Sequence, residues 1–323
     1  MAIITIWVDN LLLFIGSNQI MNEMKKDLHS QWEVTDLGEP SKIIGIKITR
    51  SDNAITISQK RSVESILMRQ GLEEANPVST PLDLKVKIEP NPEGNERDKS
   101  NTYAQLLGEL QFVANTTRPD ITYAINKLAS YTTNPDLKHQ IALKRILRYL
   151  AGTKKYGITY KYLPNSIPTF QGFTDAAFAD REDMKSTTGY LIKAADAVIT
   201  WKLGKQGVTM QSTTEAEFIT LWEGRQEAQW LRNLYQELGY TQEKPTMIYY
   251  DNTSAVAIAK NPMYHKRTKH IDTKYYWVHE KIQVERLLAE YICTEDQTTD
   301  ILMKPLLREK HQRHVTEMGQ APV

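Results

Sequence analysis

Four acidic residues in the second half of the chain have the type and setting that metal-assisted hydrolysis calls for: Asp175, Glu217, Asp251 and Asp300. Carboxylate oxygens suit hard divalent cations, and two magnesium ions about 3.5–4 Å apart can steady both the attacking and the leaving oxygen of a phosphodiester. Asp175 lies in Phe-Thr-Asp-Ala-Ala-Phe-Ala, after a strand-like run. Glu217 lies in Ser-Thr-Thr-Glu-Ala-Glu-Phe, at a helix start. Asp251 ends the apolar stretch Met-Ile-Tyr-Tyr and precedes Asn252, while Asp300 follows Ala-Glu-Tyr-Ile-Cys and opens a short helical run. Taken singly, an acid at a strand end is usually a cap or a surface charge. A carboxylate at each of four strand and helix junctions is more specific, because that order lets a fold gather distant acids into one pocket.

The elements that must position these acids are legible from periodicity. Thr169 to Ala176, Thr188 to Ala194 and Ala197 to Leu203 fit an antiparallel meander, with weak turn chemistry at Ala195-Asp196. Ser212 opens a long helix: Ser212 and Glu215 have capping-box spacing, Ile219, Trp222, Trp230, Leu231, Leu234 and Leu238 form an apolar face, and Gly239 ends it. Thr246 to Tyr250 reads as a strand, Ser254 to Lys260 as a short helix stopped before Pro262, and Lys274 to Gln283 as a helix. Leu287 to Cys293 reads as a strand, and Thr299 to Leu302 opens the last helix.

Upstream, residues 1–57 are β-rich with one helix over Asn18 to Ser30. Lys42 to Thr49 and Ala54 to Ile57 are expected to pair around a Ser-Asp-Asn turn. Ser58 is expected to cap a helix that carries Val63, Ile66 and Leu67 and stops at Gly71. Leu82 to Asn101 is a polar loop or linker. Helical periodicity returns over Tyr103 to Asn115, Ile121 to Tyr131 and Leu137 to Leu150. The last of these carries Lys144, Arg145 and Arg148, either a solvated face or a phosphate-binding one.

The chain has 323 residues, 41% hydrophobic and 24% charged, which are globular values compatible with one to three domains. The formal net charge of +1 makes bulk attraction to nucleic acid a weak argument, so any such attraction must come from local patches. The single cysteine, Cys293, excludes disulfides within the chain and fits a reducing compartment; its β-like surroundings suggest a buried core thiol. The apolar start, Met-Ala-Ile-Ile-Thr-Ile-Trp-Val-Asp-Asn-Leu-Leu-Leu-Phe-Ile-Gly, lacks a basic leader and a cleavage site, and Asp9 and Asn10 split it. A hairpin is expected there rather than a signal peptide, and no stretch is long enough to span a membrane. A strand pair beginning at residue 1 suggests that further sequence belongs upstream.

Residues 167–305 closely resemble the ribonuclease H domain of copia-type LTR retrotransposon Pol polyproteins. The resemblance rests on Thr-Asp-Ala-Ala-Phe-Ala (174–179), Ser-Thr-Thr-Gly-Tyr (186–190), Thr-Glu-Ala-Glu-Phe (214–218), Asp-Asn-Thr-Ser-Ala (251–255), Arg-Thr-Lys-His-Ile-Asp (267–272) and Thr-Asp-Ile-Leu-Met-Lys-Pro-Leu (299–306). It continues upstream through Asp-Leu-Gly (36–38), Ile-Gly-Ile (44–46), Ile-Ser-Gln (57–59), Thr-Pro-Leu (80–82), Thr-Arg-Pro-Asp-Ile (117–121) and Lys-Arg-Ile-Leu-Arg-Tyr-Leu-Ala-Gly-Thr (144–153).

The resemblance implies an α/β fold: a ribonuclease H-like mixed five-stranded sheet with flanking helices, at about residues 161–323. Before it would lie a truncated reverse transcriptase palm (1–57) and a thumb and connection (58–160), with the polar linker at about 82–101. It also implies that Asp175, Glu217, Asp251 and Asp300 hold two magnesium ions, with manganese able to replace them, while the RNA strand of an RNA–DNA hybrid is hydrolysed. Asp272 is the rival for the fourth position. Lys266, Arg267, Lys269 and His270 would grip phosphate. Other parts of the Pol polyprotein would be partners, and the compartment would be cytoplasmic or nuclear, inside a virus-like particle for an active element.

Two departures from the family pattern qualify this. Where the family usually reads Ser-Asp-Ala-Asp-Trp-Ala, the chain has Ala177 and Phe178 in place of the second acid and the tryptophan. Trp7-Val8-Asp9-Asn10 aligns with the polymerase Tyr-x-Asp-Asp turn, but Asn10 supplies no carboxylate, so polymerase activity is not expected from this chain alone. The alternative reading is an inert product of a decayed element that at most binds nucleic acid.

Overall fold

The structure is a computed structural model that describes residues 2–91, 102–162, 164, 167–180, 184–207, 209–210, 212–252 and 286–323. The apolar start forms the expected hairpin: β1 (Ala2–Trp7) pairs antiparallel with β2 (Asn10–Ile15), Trp7 opposite Asn10. Val8, in the turn, adopts φ 51°, a left-handed conformation that a β-branched residue rarely takes. Helix α1 (Asn18–Gln31) follows. No residue from 2 to 57 is buried, and Ile6, Trp7 and Val8 are 71%, 58% and 80% exposed. Deleting residues 1–32 should therefore raise soluble yield and leave Tm almost unchanged, since only surface contacts such as the exposed Lys25–Asp36 pair are lost. Sedimentation and thermal melts check this, and a fall in Tm of more than about 5 °C, above 1 kcal/mol for a chain of this size, would show the segment to be packed after all.

Next come β3 (Lys42–Ile43), β4 (Ile46–Ser51) and β5 (Ala54–Ser58), antiparallel and turning at Asp52-Asn53. Ser58 is not a helix cap. It is the last residue of β5, and Gln59 occupies the cap of α2 (Lys60–Arg69). Gly71 ends that helix with φ +61°, where a side chain would be strained. Helix α3 (Thr102–Thr116), a 3-10 turn (Pro119–Ile121), α4 (Thr122–Ala129) and α5 (Leu137–Thr153) complete a helical cluster around Leu67, Leu110, Ile125, Ile146 and Leu150. Asp136 caps α5 by accepting from the His139 amide at 3.1 Å, and its own amide donates to His139 Nδ1 at 3.0 Å.

Strand β6 (Tyr156–Lys161) was not expected from periodicity. The meander follows as β7 (Gln171–Ala177), β8 (Thr187–Ala194) and β9 (Ala197–Lys205), then helix α6 (Thr213–Glu237), β10 (Thr246–Tyr250) and β11 (Leu287–Tyr291). The chain ends with α7 (Asp300–Met303), α8 (Arg308–Glu317) and β12 (Gln320–Pro322). One sheet has the order β11-β10-β7-β8-β9, with β7, β8 and β9 antiparallel and β10 parallel to both β7 and β11. This is the mixed five-stranded sheet of a ribonuclease H-like fold. The β8–β9 turn places both Ala195 and Asp196 at positive φ, 51° and 62°. Because β11 stops at Tyr291, Cys293 lies past the strand and is exposed, not a core thiol. The helices expected over Ser254 to Lys260 and Lys274 to Gln283 lie outside the described residues.

A second sheet, β12-β6-β5-β4-β3, is wholly antiparallel and draws strands from each of the three segments into which the sequence divides. Its β12–β6 end abuts a buried polar node. The Arg118 guanidinium donates twice to Asp120, from Nε at 2.9 Å and Nη2 at 2.7 Å, and also to Thr153. Tyr149 donates its hydroxyl to Asp120 at 2.7 Å, and Gln320 of β12 donates to Asp120 at 3.0 Å. Arg118 also stands over the rings of Tyr149 and Tyr156. A cut before residue 161 would fall inside β6 and would part that strand from β12 and Asp120 from Gln320.

Candidate metal centre

Asp175 sits on β7, opposite Gly189 of β8 in an unbroken register that runs from Gln171–Lys193 to Ala177–Thr187. Substitution at Ala177 and Phe178 has not displaced the strand. A Cβ at Gly189 would collide with the Met303 side chain, so the absence of one lets α7 pack against the meander beside Asp175. Gln297 holds the approach to α7 by donating to the Thr174 carbonyl at 3.0 Å. Helix α6 starts where Ser212 accepts from the Glu215 amide at 3.2 Å, half of the expected capping box. Buried Gln206 fixes that start: its amide nitrogen donates to Ala216 O and to Thr188 Oγ1 of β8, both at 3.0 Å. Glu217 is thereby set in the first turns of α6, and Asp251 follows the last residue of β10.

The three carboxylates of Asp175, Glu217 and Asp251 each offer an oxygen, all within 4.8 Å of one another. Glu217 is buried and the other two are half-buried. Burial first, then the charges of Asp251 and Asp300, push Asp175 up to about 7, against partial relief from Lys304 and the Ala176 amide. Burial first, then the charges of Asp175 and Asp251, push Glu217 up to about 9. Acids crowded this closely out of water stay ionised only beside a compensating cation. An all-oxygen set of this kind fits magnesium or manganese.

This has a consequence for stability with divalent ions chelated. Both acids have folded-state values above their unfolded ones, so their contribution is fully present below about pH 4. It declines as pH rises through about 7 for Asp175 and about 9 for Glu217. Glu217→Gln should melt higher than the wild type at pH 9 in chelator, and the two melting curves should converge near pH 4. Magnesium should raise the wild-type Tm at pH 8 and leave the variant nearly unmoved. Parallel curves at every pH would refute this.

Asp300 opens α7 with 0% of its side chain exposed, but it is not part of the three-acid cluster. Lys304 Nζ lies 2.8 Å from Oδ1 and Lys310 Nζ lies 2.9 Å from Oδ2. Asp300 is still near enough for its charge to raise Asp175. The rival Asp272 and the basic residues Lys266, Arg267, Lys269 and His270 lie outside the described residues. On α5, Arg145 pairs with Asp83 at 3.2 Å and donates to Thr80, Arg148 donates to the Asn76 carbonyl at 2.8 Å, and Lys144 is exposed. Two of those three cations therefore anchor the 76–83 segment to α5. Asp9 is exposed in the hairpin turn beside Asn10 and is not part of the acid cluster. Periodicity did not reveal Gln206, Gln297, Lys304 or Lys310. Only Lys304 carried a local signal, its i,i+4 spacing from Asp300.

A family model described as reverse transcriptase (RNA-dependent DNA polymerase) matches residues 1–84. The retrovirus-related Pol polyprotein from transposon TNT 1-94 of Nicotiana tabacum is 36% identical over 319 residues, 96% of this chain and 24% of its own length. A putative transposon Ty5-1 protein of Saccharomyces cerevisiae is 31% identical over 220 residues, covering 67% of this chain and 70% of that protein. The chain belongs to the retrovirus-related Pol polyproteins of copia-type transposons. It spans roughly a quarter of the length of the plant Pol polyproteins that it matches. Among solved structures, the foamy viral protease–reverse transcriptase in complex with double-stranded DNA superposes on this Pol segment with a TM-score of 0.48, at 13% identity, over 90% of this chain and 46% of that one. No helix among the described residues of the Pol segment is long and apolar enough to cross a membrane.

Proposed function

We propose that this Pol segment is a ribonuclease H that hydrolyses the RNA strand of RNA–DNA hybrids, and that it does not polymerise. The observation that carries the reading is the convergence of Asp175, Glu217 and Asp251, from two strands and a helix, on one point. These three would hold magnesium or manganese, with Asp300 beside them. The bound metal supplies Lewis acidity, which lowers the pKa of a water and stabilises the departing 3′ oxygen.

The chain's own residues do the rest. Gln206 and Gln297 fix the backbone that carries Glu217 and approaches Asp300. The Ala176 amide lies near the carboxylates of both Asp175 and Glu217 and favours their ionised forms. Preference for RNA would come from 2′-hydroxyl contacts across the wide minor groove of the hybrid. Lys266, Arg267, Lys269 and His270 are proposed phosphate contacts on charge alone, and Lys144 is the exposed cation on α5. Asn10, the first residue of β2 after the hairpin turn, supplies no carboxylate, which supports the absence of polymerase activity from this chain.

The test is a gel assay with label on the RNA strand. Cleavage is expected with magnesium or manganese on the hybrid, none in chelator and none on a DNA duplex. Hybrid binding that weakens with salt, with no turnover under any metal, would favour the inert reading that Ala177 and Asn10 support.

A further inference from the structure

The fourth acid already has two cationic partners. Asp300 has both carboxylate oxygens engaged by ammonium groups, Lys304 on Oδ1 and Lys310 on Oδ2. The two lysines are held differently. Lys310 is 18% exposed, donates to the Thr294 carbonyl at 3.0 Å and lies 3.6 Å from Glu295. Lys304 is 48% exposed, on a flexible stem, and directs its charge into the acid set, since Asp175 and Asp251 also act on it. Lys310 is thus an anchored partner of Asp300, and Lys304 is a removable one.

The charge balance agrees. With one divalent ion beside Asp175 and Glu217 to keep them ionised, four carboxylates and two ammonium groups leave two negative charges, which that ion cancels. A second ion entering beside Asp300 would face an uncompensated positive charge and find Oδ1 taken.

The geometry points to Lys304 as an internal cation that holds the place of the second divalent ion. The chain alone then takes one ion at Asp175, Glu217 and Asp251, and the second enters only when the Lys304 ammonium leaves Asp300 Oδ1. A phosphodiester is the anion suited to draw that ammonium away, so the site would be completed when nucleic acid arrives. This rests on the metal-dependent reading above. Lys304 acts here as a positioning residue that sets metal occupancy.

Titrating manganese into the full chain without nucleic acid, with free ion counted by electron paramagnetic resonance, tests it. The wild type should bind one ion tightly. Lys304→Ala and Lys304→Gln, both at a half-exposed side chain, should bind two, with the second tightened on the order of tenfold or more. Lys310→Met should stay at one, because Lys304 remains on Oδ1. Two equal sites in the wild type, or the same isotherm for wild type and both Lys304 variants, would overturn the inference and leave the nuclease reading standing. Manganese uptake unaffected by Asp251→Asn would instead remove the metal centre itself, and this inference with it.

Discussion

Asp251→Asn should reduce hybrid cleavage by at least about 10²–10³-fold while the protein remains folded. Asp251 follows directly on β10, and the carbonyl of its neighbour Tyr250 accepts from the Ile292 amide at 3.0 Å, so the backbone on that side is secured independently of the acid. The amide has nearly the same shape as the carboxylate. What it removes is a charge and a strong oxygen donor, one of the three that meet within 4.8 Å among the described residues. With one of three gone, a divalent ion loses affinity and the water it would activate loses its place. The measurement is the single-turnover rate on a labelled hybrid, with a circular dichroism melt to show that the fold is kept. Equal rates for wild type and variant would mean that the cleavage belongs to a contaminant or to other residues.

The largest stability effect should come from Asp120→Ala. Arg118 and Asp120 are both essentially inaccessible to water, and the pair is joined by two hydrogen bonds. Removing one partner of such a pair leaves a buried charge uncompensated, at about 3–5 kcal/mol. Here Tyr149 and Gln320 also lose their acceptor. A fall in Tm of roughly 10 °C is expected, at 2–4 °C for each kcal/mol. The double replacement Arg118→Met with Asp120→Leu should recover much of the loss, because apolar side chains of similar size leave no charge behind.

The same residue predicts an acid limit. Burial alone would raise Asp120, but the Arg118 charge and the hydrogen bonds outweigh it and hold the carboxyl at about 2. Its contribution is therefore present above about pH 4 and lost as pH falls through about 2. A melting temperature insensitive to Asp120→Ala would show that the node adds nothing.

Sequence reading succeeded where the signal is local. Strand β10 lies between Pro245 and Asp251 as an apolar and aromatic run, and the start of α6 is marked by Ser212 three residues before Glu215. Asp175, Glu217 and Asp251 could be placed because each stands at the end or start of such an element. It failed where partners are remote. Strand β6 is a short Tyr-Gly-Ile-Thr-Tyr-Lys run after a helix, and it becomes a strand by lying between β5 and β12. Ser58 has a good capping side chain, yet its pairing with Gly157 keeps it in the sheet. The Thr-Arg-Pro-Asp-Ile motif was visible, but its purpose was not, because Tyr149 and Gln320 are 29 and 200 residues away from Asp120. The ammonium partners of Asp300 are illegible for a different reason: Lys304 shows only a common helical spacing, and Lys310 reaches Asp300 from the next helix.

The 200 residues between Asp120 and Gln320 also constrain how a ribosome can deliver this molecule. Strand β6 emerges with β5 already beside it, but its other edge stays open until β12 has been made. Throughout that interval a nascent chain carries an unfinished strand edge and a charged cluster missing one of its donors, both attractive to chaperones and to other nascent chains. At roughly 5–20 residues per second that exposure lasts on the order of ten seconds or more. A ribosomal pause or premature stop in the region of α8 would therefore leave a chain whose four candidate acids have all been synthesised but whose architecture has not closed.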